Sequence, residues 1–90
     1  MLLHPEEIKK SISTYGWDYK DGKLCKSFKF DNYLDGIEFI NKIVPIAEKL
    51  NHHPDIQIGY CKIDIAISSH DLGGVTTKCI NLATLIESIL

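Results

Sequence analysis

The segment that decides the fold reads IQIGYCKIDIAIS and covers residues 56–68. Its apolar residues alternate with polar or small ones in two runs, Ile56, Ile58 and Tyr60 in the first and Ile63, Ile65 and Ile67 in the second. Alternation with a period of two is typical of a strand with one buried face. Because the phase shifts between the runs, the segment predicts two strands joined by a tight turn or a bulge near Cys61 and Lys62.

A long helix is predicted directly before these strands. Its apolar residues recur every three to four positions, the spacing of a buried helical stripe. The predicted stripe comprises Tyr33, Ile37, Ile40, Val44, Ala47 and Leu50. Asp31 or Asn32 can cap the start of this helix. Pro45 removes one backbone hydrogen bond and crowds the preceding turn, so we expect a kink or a local break near Val44.

Two further helices are predicted near the ends of the chain. The first opens at Pro5, which suits the first turn of a helix, and ends at Gly16. The last starts near Thr76, after a loop at residues 69–74, and runs to the C-terminus. Its predicted buried stripe comprises Cys79, Leu82, Ala83, Ile86 and Leu90.

Residues 17–30 indicate a β-hairpin, because Asp21-Gly22 favours a type I′ turn between two short strands. The predicted order is therefore α-β-β-α-β-β-α. It indicates a two-layer α+β fold, in which a four-stranded antiparallel sheet is covered on one face by three helices. No linker or internal repeat divides residues 1–90, which we expect to form a single domain.

Composition excludes several classes of function. The 90 residues are 44% hydrophobic and 24% charged, as in ordinary folded proteins. The formal net charge is -2 without a dense run of Lys or Arg, which argues against direct nucleic-acid binding. No apolar stretch approaches the roughly 20 residues that cross a bilayer, and no signal peptide is recognisable, so we expect a cytoplasmic protein without membrane contact.

The cysteines suggest neither a disulfide framework nor a structural zinc site. Cys25, Cys61 and Cys79 are odd in number and form no C-x-x-C pair. We therefore interpret them as reduced and buried thiols.

Three of the four histidines lie at the ends of predicted elements. His52 and His53 follow the long helix, and His70 follows a strand. Histidine gives and takes protons near neutral pH, so a group of them in one cleft could act as general acid and base. Pro54 keeps His53 out of helical geometry, which lets both rings turn toward a common cleft. Glu48, four residues before His52, could orient that imidazole or raise its pKa.

Two alternatives remain for these segments. His52 or His53 with His70 and Asp71 could bind zinc, although the spacing fits no recognised zinc pattern. Gly73-Gly74 before the last helix could bind an anion, but a turn is the simpler interpretation.

One combination of motifs resembles a known family. EKLNHHP at residues 48–54 is followed by a further histidine in SHDLGG at residues 69–74. With Gly16-Trp17, Tyr60 and Leu82-Ala83, this pattern is similar to that of the pterin-4a-carbinolamine dehydratases, over about residues 5–90.

The resemblance implies the α+β fold described above, a homodimer or a homotetramer built from dimers, and no metal or cofactor. It also implies a hydro-lyase reaction in tetrahydrobiopterin recycling. Water is removed from 4a-hydroxytetrahydropterin, which aromatic amino acid hydroxylases form, and quinonoid dihydropterin results.

The resemblance further implies roles for named residues. His52, His53 and His70 would carry catalysis, with His52 and His70 in proton transfer and His53 holding the pterin. The residues expected at the polar edge of the pterin or supporting the histidines are Glu48, Asn51, Ser68, Ser69 and Asp71.

Two positions depart from the family pattern. Cys79 and Asn51 stand where the family often has acidic residues, so there is less negative charge near the histidines. The resemblance therefore leaves the histidine pKa values and the preferred pterin open. The alternative functions are a pterin-binding accessory protein and a dimerisation or coactivator module, since animal members of the family also bind a homeodomain transcription factor. The intact set of three histidines favours the enzyme.

Overall fold

Seven helices and strands follow one another along residues 2–12 and 15–90, which the computed structural model describes. They are α1 (Pro5–Ile12), β1 (Asp18–Lys20), β2 (Lys23–Lys29), α2 (Tyr33–Leu50), β3 (Asp55–Ile58), β4 (Lys62–Ile67) and α3 (Thr77–Ser88). The predicted order of elements is thus confirmed. Ser13 and Thr14, through which the first helix was expected to continue, lie outside the described residues.

The four strands form one antiparallel sheet in the order β1-β2-β4-β3. At its centre Leu24 lies opposite Ile67 and Phe28 opposite Ile63. The β1–β2 turn has positive φ angles at Asp21 (52°) and Gly22 (75°). Positive φ at both central residues is what a type I′ turn requires, so the predicted hairpin is confirmed.

A single core lies between the sheet and the helices. Its largest contributors are Ile8, Ile12, Trp17, Leu24, Phe28, Phe39, Ile43, Ile63, Ile65, Ile67, Leu82 and Ile86. Each such side chain stabilises the fold by about 1.5–3 kcal/mol when it is fully buried. The predicted stripe of α3 is confirmed except for Leu90, which is exposed and lies beyond the end of the helix.

The stripe predicted for α2 is confirmed only in part. Ile40 and Leu50 pack half-buried against the core, as predicted. The fully buried residues are Gly36, Phe39, Ile43 and Ala47, of which only Ala47 was predicted. Tyr33 and Val44 are each 51% exposed. The helix has apolar residues on two faces, and packing against the sheet and α3 decides which face is buried.

Pro45 does not interrupt α2, which runs as one helix of 18 residues. The carbonyl of Asn41 loses its helical partner at this proline. Because Asn41 and Pro45 are both exposed, water can hydrogen-bond to that carbonyl. The break expected near Val44 is therefore absent.

An ion pair links the N-terminal hairpin to α3. Lys26 on β2 pairs with the Glu87 carboxylate on α3, and the Trp17 indole N–H donates to the same carboxylate at 2.9 Å. The Lys26 ammonium also donates to the Tyr15 carbonyl at 2.6 Å. This network bridges parts of the chain that are far apart in sequence.

All three cysteines are free, but only Cys79 is buried, whereas Cys25 and Cys61 are half-buried. The prediction of buried thiols thus holds for Cys79 alone. Within residues 2–12 and 15–90, no helix has both the length and the apolar character needed to cross a membrane.

Candidate active site

The C-terminal end of α2 places two of the histidines. Asn51 adopts the left-handed conformation, with φ 50° and ψ 44°. Its backbone N–H donates to the Glu48 carbonyl at 3.2 Å, and that of His52 donates to the Ala47 carbonyl at 3.1 Å. Such bonds satisfy carbonyls that the end of a helix leaves without partners. The chain therefore leaves helical geometry before His52.

His52 turns inward to the start of α3. Its imidazole is half-buried, and Nε2 lies 3.2 Å from the Sγ atom of Cys79. Burial lowers the pKa of His52, and the positive charges of Lys78 and His70 lower it further. Each of these effects disfavours the imidazolium form. His52 is therefore a neutral imidazole near neutral pH.

A cleft of about 570 Å³ opens beside His52. Its volume lies within the range of roughly 300–1,000 Å³ that is usual for small-molecule sites. The residues that line it are Asn51, His52, Ser69, Asp71, Leu72, Thr76, Thr77 and Lys78. The end of α2 thus forms one wall, and the loop after β4 with the start of α3 forms the other.

The loop wall is held by local hydrogen bonds. The Ser69 N–H donates to the Gly74 carbonyl at 2.7 Å, and the Gly73 N–H donates to the Ser69 carbonyl at 2.8 Å. The hydroxyls of Ser69 and Thr76 lie 2.8 Å apart. Gly73 has a φ of 68°, which glycine adopts without strain. Gly73 and Gly74 thus close a turn.

Glu48 interacts with His53, and the expectation that it would orient His52 or raise its pKa is wrong. The Glu48 carboxylate pairs with Nε2 of His53, and both side chains are exposed. The spacing of four residues brings side chains together only within a helix. Because Asn51 ends the helix, that spacing does not apply to His52.

His70 lies on the exposed loop, with Nε2 3.6 Å from a carboxylate oxygen of Asp55. It does not line the cleft, although its charge lowers the pKa of His52. Ser68, directly after β4, is buried and does not line the cleft either.

The structure therefore brings together four of the eight predicted site residues, Asn51, His52, Ser69 and Asp71. Glu48, His53, Ser68 and His70 lie outside the lining of the cleft. Sequence reasoning missed Leu72, Thr76, Thr77 and Lys78 as lining residues. Their position beside the Gly73-Gly74 turn and the start of a helix was the available signal.

No metal site is evident in the described part of the chain. Among residues 2–12 and 15–90, no three side chains of His, Cys, Asp or Glu gather closely enough to hold a metal ion. The zinc alternative therefore has no ligand cluster to support it. A second concavity of about 540 Å³ lies at the sheet, with Lys20, Cys25 and Asp64 in its lining, and it contains no histidine.

The family model that matches this chain and the similar known sequences carry the same family name. The sequence model of the family described as Pterin 4 alpha carbinolamine dehydratase matches residues 1–89. A relative from Sulfolobus acidocaldarius is 42% identical over 90 residues and covers 99% of each chain. A relative from Picosynechococcus is 39% identical over 88 residues, which is 97% of this chain and 96% of the relative. Both are named, by inference, pterin-4-alpha-carbinolamine dehydratase.

Two solved structures have a fold similar to that of this chain. A transcriptional coactivator/pterin dehydratase from Brucella melitensis superposes with a TM-score of 0.93 and 28% identity, over 99% of this chain and 98% of the other. A pterin dehydratase-like protein identified as a RuBisCO assembly factor has a TM-score of 0.66, at 20% identity over 81% of this chain and 84% of the other. The second likeness concerns the fold alone. Together with the match over residues 1–89, these findings show that the chain belongs to the pterin-4-alpha-carbinolamine dehydratase family.

Proposed function

We propose that this chain removes water from 4a-hydroxytetrahydropterin and releases quinonoid dihydropterin. The observation that carries the proposal is the neutral His52 imidazole at the edge of a cleft of about 570 Å³. Membership of the dehydratase family supports the same reaction class. We place the reaction in the cytoplasm, as one step of pterin recycling.

The reaction requires two proton transfers and involves no oxidation or reduction. The bond between C4a and the hydroxyl oxygen breaks, and the oxygen gains a proton to leave as water. The neighbouring ring nitrogen loses its proton, and its electron pair forms the new double bond to C4a. One group must give a proton and another must accept one, which imidazoles do efficiently near neutral pH.

His52 and His70 are the proposed pair for proton transfer. The charge of His70 affects the pKa of His52, so the two rings are electrostatic neighbours. The His70 side chain is 65% exposed, and its contact with Asp55 is long at 3.6 Å. An exposed side chain in a weak ion pair can reorient at little cost when a ligand binds.

The remaining predicted site residues would bind the pterin. Asn51, Ser69 and Asp71 line the cleft and offer both donors and acceptors to the polar edge of the ligand. We assign His53 to holding the pterin from outside the lining, with Glu48 as its partner. Ser68 would support the loop from its buried position.

A partner-binding role is the second candidate, in line with the coactivator named among the solved structures. Tyr33, Leu34 and Val44 on α2 are between 51% and 63% exposed. Exposed apolar side chains on one helix favour association with another protein surface.

The same exposed side chains could also meet a second copy of the chain. We propose a homodimer or a homotetramer, and light scattering coupled to size exclusion would distinguish either from a monomer.

The decisive experiment follows the loss of 4a-hydroxytetrahydropterin absorbance after enzymatic generation of the compound. We expect wild-type protein to accelerate the decay and His52→Ala and His70→Ala each to lower the rate by roughly 100-fold or more, the usual contribution of a general acid or base. His4→Ala, which changes an exposed histidine outside the cleft, is the control. A folded wild-type protein without acceleration would contradict the dehydratase proposal and favour the partner-binding role.

A further inference from the structure

We propose that Cys79 is a positioning residue for His52, which holds the imidazole through Nε2 and makes Nδ1 the nitrogen that exchanges a proton with the substrate. The positioning itself rests on contacts within the protein. Its catalytic meaning rests on the proposed dehydratase function.

The first step of the argument is the position of the thiol. Cys79 is the third residue of α3 and is fully buried. Its Sγ atom lies 3.2 Å from Nε2 of His52, within hydrogen-bond distance for sulfur. The contact links the end of α2 to the first turn of α3, because His52 follows α2 and Cys79 is in that first turn.

The second step is the direction of the hydrogen bonds at sulfur. The backbone N–H of Thr76 donates to Sγ at 3.4 Å. The hydroxyls of Ser69 and Thr76 lie 3.6 and 3.7 Å from Sγ and 2.8 Å from each other. One hydroxyl proton is used between these two oxygens, and the other can be donated to sulfur. The Thr76 N–H makes the sulfur an acceptor on this side, and in the proposed arrangement the thiol gives its own proton to Nε2 of His52.

The third step is the tautomer. A neutral imidazole has one N–H and one acceptor nitrogen, and the hydrogen bond at one nitrogen decides the state of the other. If Nε2 accepts the thiol proton, the N–H is at Nδ1. In the part of the chain that the structure describes, Nδ1 has no hydrogen-bond partner, so it is available to a ligand in the cleft.

This arrangement gives His52 the role of general acid. Nδ1 gives its proton to the leaving oxygen as the C4a–O bond breaks, and the thiol proton moves to Nε2. The imidazole stays neutral and the negative charge rests transiently on sulfur, which accepts from the Thr76 N–H at the start of α3. His70 accepts the ring-nitrogen proton, and a proton returns through solvent to Nδ1 of His52. The Nε2 proton then moves back to sulfur, which restores the starting tautomer and the thiol, so that all protons balance.

The first test is nitrogen-15 NMR of the His52 ring at neutral pH in wild type, Cys79→Ser and Cys79→Ala. We expect an unprotonated Nε2 and a protonated Nδ1 in wild type, the same state in Cys79→Ser, and a mixture of tautomers in Cys79→Ala. Cys61→Ala, at a half-buried thiol elsewhere, is the matched control. A protonated Nε2 in wild type, or unchanged shifts in Cys79→Ala, would overturn the proposal.

The second test separates positioning from folding. The titratable and charged groups around His52 are Lys78, Cys79, His70, Asp71 and His53. In Cys79→Asp a carboxylate replaces the thiol beside Nε2, so we expect the pKa of His52 to rise and the acid limb of kcat to move to higher pH. A His52 pKa that does not rise in a folded Cys79→Asp protein would overturn the contact.

Steady-state kinetics complete the test. We expect kcat to fall at least roughly tenfold in Cys79→Ala, with a smaller change in KM and partial recovery in Cys79→Ser. If wild-type protein has no dehydratase activity but the NMR tautomer responds as expected, the proposed function fails and the positioning stands. If activity is present and neither tautomer nor kcat depends on Cys79, the positioning fails and the function stands.

Discussion

Asn51 directs the chain out of α2, and the positions of both neighbouring histidines depend on this single residue. Its left-handed backbone is unfavourable for most residues but acceptable for asparagine and free of strain for glycine. The amide side chain also lines the cleft. Backbone and side chain at this position therefore contribute separately to stability and to binding.

The backbone contribution can be isolated by comparing Asn51→Ala with Asn51→Gly, since both variants lack the amide. We expect Asn51→Ala to lower the free energy of unfolding by about 1 kcal/mol relative to Asn51→Gly, which lowers Tm by about 4–8 °C in a domain of this size. Thermal unfolding followed by circular dichroism measures the difference. Equal Tm values would show that the left-handed conformation carries no cost here.

The lowered pKa of His52 predicts a specific loss of stability in acid. The unfolded chain has the ordinary histidine pKa of about 6.5 and binds a proton first as the pH falls. The contribution is therefore present above about pH 6.5 and is lost as the pH falls toward the lower pKa of the folded state. We expect His52→Gln to lose less stability than wild type between pH 7.5 and pH 5, measured by urea unfolding. The control His4→Gln should retain the wild-type dependence of stability on pH. If the free energy of unfolding of His52→Gln fell with pH as steeply as that of wild type, His52 would not be the source of the loss.

The sequence identified half of the cleft, and contacts between elements account for the rest. Histidines at element ends pointed to His52, and the family resemblance implied Asn51, Ser69 and Asp71. The partner of His52 could not be found in this way, because Cys79 belongs to a different helix and meets it only through packing. The rule that residues four apart share one helical face also fails at the end of a helix, as Glu48 and His52 show.

At the scale of elements, α2 is the least predictable part of the fold. Its start follows from sequence, since Asn32, one of the two predicted caps, accepts from the Asp35 N–H at 2.8 Å. Its uninterrupted length does not follow, because a kink or break was predicted near Val44. Its rotation does not, because apolar residues occupy two faces and the sheet can bury only one. The buried face of β4 was predictable, because a period of two puts Ile63, Ile65 and Ile67 on one face. The same alternation was wrong for β3, where Ile58 is 52% exposed and Tyr60, beyond the strand, is 80% exposed.

Adjacent residues of α2 provide a direct test of that rotation. Ile43 is 1% exposed and Val44 is 51% exposed. We expect Ile43→Ala to lower the free energy of unfolding by about 2–5 kcal/mol, through lost burial and a residual cavity. Val44→Ala should change it by less than about 0.5 kcal/mol in the monomer, as for surface substitutions. Urea unfolding at low protein concentration measures the free energy of unfolding of both variants. A larger loss in Val44→Ala than in Ile43→Ala would support the stripe predicted from sequence.

At the scale of the molecule, the Trp17, Lys26 and Glu87 network fastens the hairpin to the last helix. The Glu87 side chain is 9% exposed and accepts from both partners. Lys26 has a further acceptor in the Tyr15 carbonyl and is 21% exposed. Loss of the carboxylate charge would thus leave the ammonium only partly compensated.

We expect Glu87→Gln to lower the free energy of unfolding by about 1–3 kcal/mol, the cost of leaving a partly buried donor without its charged acceptor. The amide oxygen can still accept from the indole, so the substitution tests the charge. Trp17 is the only tryptophan, and its fluorescence during urea unfolding provides the measurement. Glu38→Gln at an exposed site of α2 is the control. Equal stability of the two variants would show that the network contributes little.

The central pairing of β2 with β4 also governs the order of folding. Leu24 and Ile67 pair across a loop of about forty residues, and closing such a loop costs conformational entropy before its contacts form. The two walls of the cleft are joined by a much shorter path, because β3 follows His52 closely and pairs with β4 in a tight hairpin, with Asp55 opposite Ala66. The residues on either side of this hairpin can therefore approach each other before β2 joins β4. We expect the end of α2 and the loop after β4 to come together early in refolding, and full stability to return later with the central pairing.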